Sequence, residues 1–246
     1  KKFYKCFEDA VQMDGLLSVM RHGFKHRGMD FKVCYFKPES TLNDVAVKRY
    51  KQNVCQCIRQ WHYSEQNNNS VDMMLAINGI PVVAIELKNQ LTGQTVDNAK
   101  LQWKYDRDPR EQAFWLNHRI LAYFAVDLYE AWMATELKGA STYFLPFNQG
   151  SNGAGNDGGA GNPQANGDNY VTSYLWENVL QKDSLLDIIQ KFVSFEVKTE
   201  KKENKTEMNN TNLILSDESE KMKNRELLEE YFSHSLEIDL LLRLCP

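Results

Sequence analysis

VDMMLAINGIPVVAIELK, at residues 71–88, is the stretch that decides the fold. Two apolar runs are separated by Asn78 and Gly79, and an Asn-Gly pair in this setting is the strongest short-range signal of a β-hairpin. The pattern therefore predicts antiparallel strands over 71–77 and 81–88. Because both runs are apolar along most of their length, we expect both strands in the centre of a sheet.

Charged side chains stand at the end of the second strand. Side chains two apart on a strand share a face, so Glu86 and Lys88 should emerge together, with Asp72 on the partner strand as the nearest carboxylate. A regular hairpin with a two-residue turn would pair Asp72 with Ile85 and turn it away from Glu86. Convergence requires an irregularity, and we predict a three-residue loop or a β-bulge.

These residue types suit metal-assisted chemistry at a phosphate. Asp72 and Glu86, with a backbone carbonyl expected to be that of Leu87, would form an all-oxygen site of the kind that Mg²⁺ prefers. Such a metal activates water and stabilises charge at phosphorus, and Lys88 would orient or help deprotonate that water. The alternative is an exposed ion pair at a strand end, with Asp72 uninvolved.

Helices and strands are expected to alternate around the hairpin. Helices are predicted over 7–23, over 44–61 with Asn43 as the N-cap, over 96–106 with Pro109 beyond its end, and over 184–195. Strands are predicted over 30–38, 119–127 and 129–135. This order indicates an α/β or α+β fold in which helices cover a mixed sheet.

The chain is expected to divide near residue 195. Before that point, a loop rich in Gly, Asn and Asp spans about 149–169, which is too polar to compensate for its ordering entropy. This loop is either functional or a tolerated surface insertion, and no Gly-Lys-Ser/Thr sequence follows it to bind phosphate. Beyond residue 195, we predict a charged linker over 198–212 and an amphipathic helical tail ending at 246.

Composition limits the classes of function. The chain is 42% hydrophobic and 25% charged, and it has neither a signal peptide nor the roughly 20 apolar residues of a membrane span, so we expect a cytoplasmic protein. Its net charge of −4 excludes coating of nucleic acid by charge alone. Residues 1–60 nevertheless carry an excess of Lys and Arg, which either faces DNA or solvates helix faces.

The five cysteines are an odd number, and in a chain without a secretion signal we expect reduced thiols. Cys55 and Cys57 are separated by one residue, which is the wrong spacing for a structural zinc site.

The stretch NSVDMMLAINGIPVVAIELKNQLTGQ (69–94), followed by AKLQWKYDRDP (99–109), resembles the PD-(D/E)xK nuclease core of type I restriction endonuclease R subunits. The similarity continues through the stretches RQWHYS, NHRILAYFAVD, TYFLPFNQG and YLWENVL, and it covers about residues 20–195. It implies a restriction-endonuclease-like nuclease domain over 1–195. It also places the metal-binding and water-activating residues at Asp72, Glu86 and Lys88.

The activity implied by this resemblance is hydrolysis of phosphodiester bonds in double-stranded DNA during restriction of foreign DNA. Mg²⁺ would be the cofactor, with Mn²⁺ able to substitute. Methyltransferase and specificity subunits would be the partners and would recognise the DNA sequence. R subunits continue into an ATP-driven translocase, but this sequence has no Walker A motif, so we expect an excised fragment or the remnant of a disrupted gene.

Related nucleases carry a Gln-x-x-x-Tyr motif after the lysine strand, whereas Gln102 and Tyr105 are three residues apart here. Both spacings share a helix face, so Gln102 is expected to contact DNA or the active lysine. Tyr105 is either a DNA contact or an ordinary core tyrosine. The family also has an early-helix glutamate, for which Glu8 is a poor candidate.

Other residues are weaker candidates for DNA contact. Arg107 and Arg110 could clamp phosphates, but solvated loop arginines are at least as well supported. His62 and Tyr63 could approach DNA, or they could pack under the hairpin. His118 and Arg119 are further candidates. The competing function is a nuclease-like module that only binds DNA or assembles subunits and is catalytically idle.

Overall fold

The computed structural model describes residues 2–150, 161–164, 169–198 and 210–215. Within them the α-helices are α1 (Lys2–Asp14), α2 (Leu16–His22), α3 (Asp44–Lys51), α4 (Val96–Leu101) and α5 (Lys182–Asp187). Three segments have the wider π-helical pattern: Gln102–Asp106, which continues α4, Leu175–Val179, and Ile188–Phe192, which continues α5. Two 3₁₀ turns lie at Gln90–Thr92 and Gln112–Phe114.

The described strands are β1 (Phe24–His26), β2 (Met29–Phe31), β3 (Cys55–His62), β4 (Ser70–Ile77), β5 (Ile80–Leu87), β6 (Ala122–Val126), β7 (Ala131–Ala134), β8 (Leu145–Pro146), β9 (Val193–Lys198) and β10 (Asn210–Leu215). A six-stranded sheet has the order β3-β4-β5-β6-β7-β8, and β1-β2 and β9-β10 form separate pairs. Only β5 and β6 run parallel within the six-stranded sheet. This mixed sheet with covering helices confirms the predicted α/β class.

The central hairpin is the predicted one, and it contains the predicted irregularity. Asn78 and Gly79 have φ values of 52° and 81°, the left-handed conformation that a two-residue hairpin turn requires. Ile77 pairs with Ile80, but the register shifts between Leu75 and Ala76. Val82 is the extra residue of this β-bulge, so both Val82 and Val83 pack into the same core.

An apolar core covers each face of the sheet. One core lies against α1, α2 and α5 and includes Ile77 and Ile85 from the hairpin. The other lies under α4 and includes Met74, Ala84 and Trp103. The fully buried Trp103 donates its indole N–H to the Phe124 carbonyl at 2.9 Å, which fixes the end of α4 and its π-helical continuation over the sheet.

The helix predicted over 7–23 is broken in the middle. Gly15 separates α1 from α2 with a φ of 78°, and a Cβ there would lie 2.0 Å from the side chain of Asn117. Asn117 accepts the Leu17 N–H at 3.0 Å, so a distant residue begins the second helix. The single helix was therefore wrong, whereas its predicted end at Gly23 is confirmed.

The strand predicted over 30–38 is much shorter, because only Met29–Phe31 pairs with β1. Beyond it, side-chain amides replace a neighbouring strand as partners of the backbone. Asn53 bonds both the N–H and the carbonyl of Tyr35, and Asn78 donates to the Val33 carbonyl at 2.8 Å.

The helix predicted over 44–61 is correct only in its first half. Asn43 caps α3 by accepting the Ala46 N–H at 3.0 Å, but the helix ends at Lys51. Cys55–His62 is instead an edge strand paired with β4. Ile58, which suggested a helical apolar face, is exposed on that strand, so pairing with the hairpin prevails over local spacing.

The helix predicted over 184–195 is confirmed as far as Phe192. It begins at Lys182, and Val193 already belongs to β9. The linker predicted over 198–212 was wrong at its ends, where Lys198 pairs with Asn210 in the β9-β10 pair. The helical tail and most of the Gly/Asn-rich loop lie outside the described residues. A domain boundary near residue 195 stays a prediction.

Two findings concern the described part of the chain only. None of its helices combines the length and apolar character needed to cross a membrane. Its cysteines Cys6, Cys34 and Cys55 are free thiols.

Candidate functional site

The two predicted carboxylates meet across the central hairpin. Met73 pairs with Ile85 on the far side of the bulge, and continuation of that register places Asp72 opposite Glu86. Both side chains lie on the face of the sheet that α4 covers, because each is two residues from a member of that core, Asp72 from Met74 and Glu86 from Ala84. The irregularity inferred from the sequence is therefore the feature that brings the pair together.

Glu86 is fully buried, with 0% of its surface exposed, and Arg107 is its ion-pair partner. The guanidinium Nε and Nη2 lie 2.8 Å and 2.5 Å from the same oxygen, Oε1. The other oxygen, Oε2, has no hydrogen-bond partner within the described residues. One oxygen is thus held by a cation, and the other is buried without a donor.

The surroundings of Glu86 oppose its ionisation. Burial raises the pKa of its carboxyl to about 8, the neighbouring Arg107 lowers it in part, and the Asp72 carboxylate raises it. While Glu86 is protonated, its hydroxyl can donate to Asp72. When it ionises, its charge repels the neighbouring Asp72 carboxylate.

Asp72 is held through both of its oxygens. Oδ2 accepts the backbone N–H of Leu87 at 2.8 Å, and Oδ1 accepts Nε2 of Gln60 at 3.1 Å. The first bond holds the backbone at Leu87 beside the carboxylate, while the metal-ligating role of the Leu87 carbonyl stays a prediction. Sequence reasoning missed Gln60, and the signal available was only its position in RQWHYS before the hairpin.

The donor set fits a small divalent cation. A buried carboxylate oxygen without a donor, beside a second carboxylate, is an arrangement that a bound cation would neutralise. Within the described residues, no group of three or more His, Cys, Asp and Glu side chains could hold a metal. The cation would therefore rely on Asp72, Glu86, a backbone carbonyl and water, a set that Mg²⁺ accepts.

Lys88 is the first residue after β5, two positions beyond Glu86. Its backbone N–H donates to the Val126 carbonyl at 2.9 Å, which extends the pairing of β5 with β6 beyond Leu87. Its side chain is half-buried, and no ion pair or hydrogen bond of Nζ occurs within the described residues. No contact of Nζ with Asp72 or Glu86 occurs within the described residues, so the catalytic role of Lys88 stays a prediction.

Gln102 and Tyr105 lie in the π-helical segment after α4, a kind of irregularity that is frequent at functional sites. Gln102 is half-buried, and Tyr105 is 67% exposed. The exposure of Tyr105 excludes the core-tyrosine alternative. No contact between Gln102 and Lys88 is seen, so the role of Gln102 stays a prediction.

The candidates for DNA contact separate into buried and exposed residues. Arg107 is only 6% exposed and belongs to the carboxylate site, so a phosphate contact would require it to leave Glu86. Arg110 is exposed and pairs with Asp108 at 2.7 Å. His62 is exposed and contacts the Asn68 carbonyl at 3.0 Å.

The remaining candidates are tied to neighbouring side chains. Tyr63 packs against Phe114 with ring centroids 4.5 Å apart, as its packing alternative proposed. Arg119 pairs with Glu8. His118 packs edge-on against Trp115, and burial lowers the pKa of its imidazole.

Comparison with known proteins gives one family. Residues 23–142 match the family model described as type I restriction enzyme R protein N terminus. No curated protein and no solved structure matches the chain. The matched range contains the whole of the central hairpin and the π-helical segment after α4.

Proposed function

Since the chain belongs, through residues 23–142, to the N-terminal family of type I restriction enzyme R proteins, we propose that it is a Mg²⁺-dependent endonuclease domain. It would hydrolyse phosphodiester bonds of double-stranded DNA in restriction of foreign DNA, in the cytoplasm. Its partners would be the DNA and the methyltransferase and specificity subunits of a type I complex. ATP would serve only the translocase part of such an R protein.

One observation supports this proposal above the others: Asp72 and Glu86 lie opposite each other, and Oε2 of Glu86 is buried without a donor within the described residues. Structural ion pairs normally use both carboxylate oxygens, because an unsatisfied buried oxygen destabilises the fold. Here Arg107 occupies Oε1 alone. A protonated Glu86 can satisfy this oxygen only by donating to Asp72, whereas a bound cation would neutralise both carboxylates in their ionised form.

Each residue of the carboxylate site would have its own role in cleavage. Asp72 and Glu86, with the Leu87 carbonyl, would hold the cation, and a bound Mg²⁺ supplies an activated water and positive charge at the phosphate. Lys88 would orient or deprotonate the attacking water and offset charge that develops at phosphorus. Arg107 keeps Glu86 in place through Oε1, and Gln102 would contact DNA or Lys88.

The test is Mn²⁺ binding by calorimetry, followed by cleavage of plasmid DNA. We expect Asp72→Asn and Glu86→Gln to weaken Mn²⁺ binding at least about 100-fold, because each removes a charged ligand. Lys88→Ala should still bind Mn²⁺ but should lose cleavage by a factor of at least about 100. Asp97→Asn removes an exposed carboxylate paired with Lys100 and serves as the control, with both readouts unchanged.

The second candidate is a catalytically idle module for DNA binding or subunit assembly. The complete burial of Glu86 and its ion pair with Arg107 favour it, since both oppose entry of a cation. Wild-type protein that binds no Mn²⁺ even with DNA present would support this candidate. So would a Glu86→Gln variant that loses subunit assembly rather than DNA cleavage.

A further inference from the structure

Gln60 has a strained backbone at the point where β3 passes the carboxylate site. Its φ of 48° lies in the left-handed region, although it stands inside a strand and is not a glycine. Arg59 pairs with Met73 and Trp61 with Val71, so Gln60 falls opposite Asp72. Strain of this kind persists where the surrounding contacts require it, and it clusters at functional sites.

The Gln60 side chain uses both ends of its amide. Nε2 donates to Oδ1 of Asp72 at 3.1 Å, and Oε1 accepts the Ser70 hydroxyl at 2.8 Å. The Ser70 bond sets the direction of the amide, because only the nitrogen can then point at Asp72 as a donor. The distorted backbone therefore delivers an oriented donor to one carboxylate oxygen.

Ser70 joins this contact to the other carboxylate. Its carbonyl accepts Nη2 of Arg107 at 2.7 Å, and Arg107 donates to Oε1 of Glu86. A continuous series of hydrogen bonds thus runs from Asp72 through Gln60, Ser70 and Arg107 to Glu86. Both carboxylates are fixed from outside by residues that come from other segments of the chain.

We propose that Gln60 is a positioning residue, which holds Asp72 in the orientation that a divalent cation requires; this rests on the proposed metal-binding function. The Leu87 N–H and Gln60 each occupy one oxygen of Asp72, which stops the carboxylate from rotating. Each oxygen keeps a lone pair for the cation. Partners of this kind commonly change metal affinity 10-fold to 100-fold when they are removed.

The experiment measures two properties of each variant of the 246-residue chain. Electron paramagnetic resonance gives the Mn²⁺ affinity, and thermal unfolding gives the Tm. Gln60→Gly removes the amide and relieves the positive φ, since glycine adopts this conformation readily. We expect Mn²⁺ affinity to fall about tenfold while the Tm stays the same or rises. Ser70→Ala removes the hydroxyl that fixes the Gln60 amide, so it should also lower the Mn²⁺ affinity, but by a smaller factor.

Gln56→Ala is the matched control, because Gln56 is an exposed glutamine on the same strand and pairs with Ala76, away from the site. It should leave Mn²⁺ affinity unchanged. If Asp72→Asn abolishes Mn²⁺ binding but Gln60→Gly does not weaken it, this inference is overturned and the proposed function is left intact. Wild-type protein that does not bind Mn²⁺ overturns the proposed function, and this inference with it.

Discussion

Glu86 shows how a single residue can be unfavourable for the fold and useful for binding. Its carboxyl is buried beside another acid, and only one of its oxygens has a partner within the described residues. A buried carboxyl group with incomplete hydrogen bonding lowers stability, and it does so more when it ionises. The same two features would be relieved by a divalent cation, so the stability of the metal-free protein should report on this side chain.

The first prediction concerns the dependence of stability on pH. The pKa of Glu86 is about 8 in the folded chain, against an ordinary value of 4.5. An acid with a raised folded-state pKa stabilises the fold at low pH and loses that contribution as pH rises through the folded-state value. Metal-free protein should therefore lose roughly 2–4 kcal/mol of unfolding free energy between about pH 5 and pH 8.

Urea unfolding in the presence of EDTA measures this loss. The Glu86→Gln variant provides the comparison, because it cannot titrate and should show a much flatter profile over the same pH range. A wild-type stability that is constant or rises toward pH 8 would contradict the raised pKa.

The second prediction separates two arginines that look alike in the sequence. Arg107→Gln should lower the free energy of unfolding by roughly 2–4 kcal/mol, because it removes the buried hydrogen bonds that Arg107 donates to Oε1 of Glu86 and to the Ser70 carbonyl. Arg110→Gln removes an exposed pair with Asp108 and should have no measurable effect. Equal effects of the two substitutions in chemical denaturation would count against the buried ion pair.

At the scale of elements, the β4-β5 hairpin does more than reverse the chain. The Asn78 side chain accepts the Val54 N–H at 2.7 Å and donates to both the Val33 carbonyl and Asn53. It thereby ties the turn to the start of β3 and to the segment that follows β2. The turn residue that predicts the hairpin also holds the edge strand against it.

The third prediction follows from these bonds. Asn78→Gly suits the turn conformation but removes the side-chain contacts, and it should cost roughly 1–3 kcal/mol of stability. Gly79→Ala should cost only about 1 kcal/mol, through the backbone at its φ of 81°, because no atom lies within 4 Å of an added Cβ. If Asn78→Gly is neutral or stabilising in thermal unfolding, the tethering role of Asn78 is wrong.

At the scale of the whole molecule, the site joins separate parts of the chain. β3, β4, β5 and the segment after α4 each contribute one or more residues to it, and both cores of the sheet support those segments. A cation held between Asp72 and Glu86 would bind the folded chain and not the unfolded one. Metal binding should therefore stabilise the whole domain.

The fourth prediction gives the size of this effect. Mn²⁺ at about 100 times its Kd should raise the unfolding free energy by about 2.7 kcal/mol. The shift should disappear in Asp72→Asn and persist in Lys88→Ala, and differential scanning calorimetry in matched buffers measures it. A shift of equal size in Asp72→Asn would place the bound metal elsewhere in the protein.

The local sequence was sufficient to predict the central hairpin of this protein. The turn at Asn78 and Gly79, the two apolar strands and the alternation of side chains on β5 depend on neighbouring residues, and they were predicted correctly. The expected convergence of the two carboxylates also predicted an irregularity, which the structure shows to be a β-bulge and not a three-residue loop. The capped start of α3 and the end of the first helical region at Gly23 were predictable for the same reason.

Only the tertiary structure decided the rest, because it depends on contacts between residues far apart in the chain. Edge pairing with β4 made Cys55–His62 a strand despite its helical spacing, and Asn117 broke the first helix at Gly15. Arg107 is 21 residues from Glu86, and Gln60 is 12 from Asp72. No local pattern records such partners, so the burial of Glu86 and the fixed orientation of Asp72 arise only when packing brings these segments together.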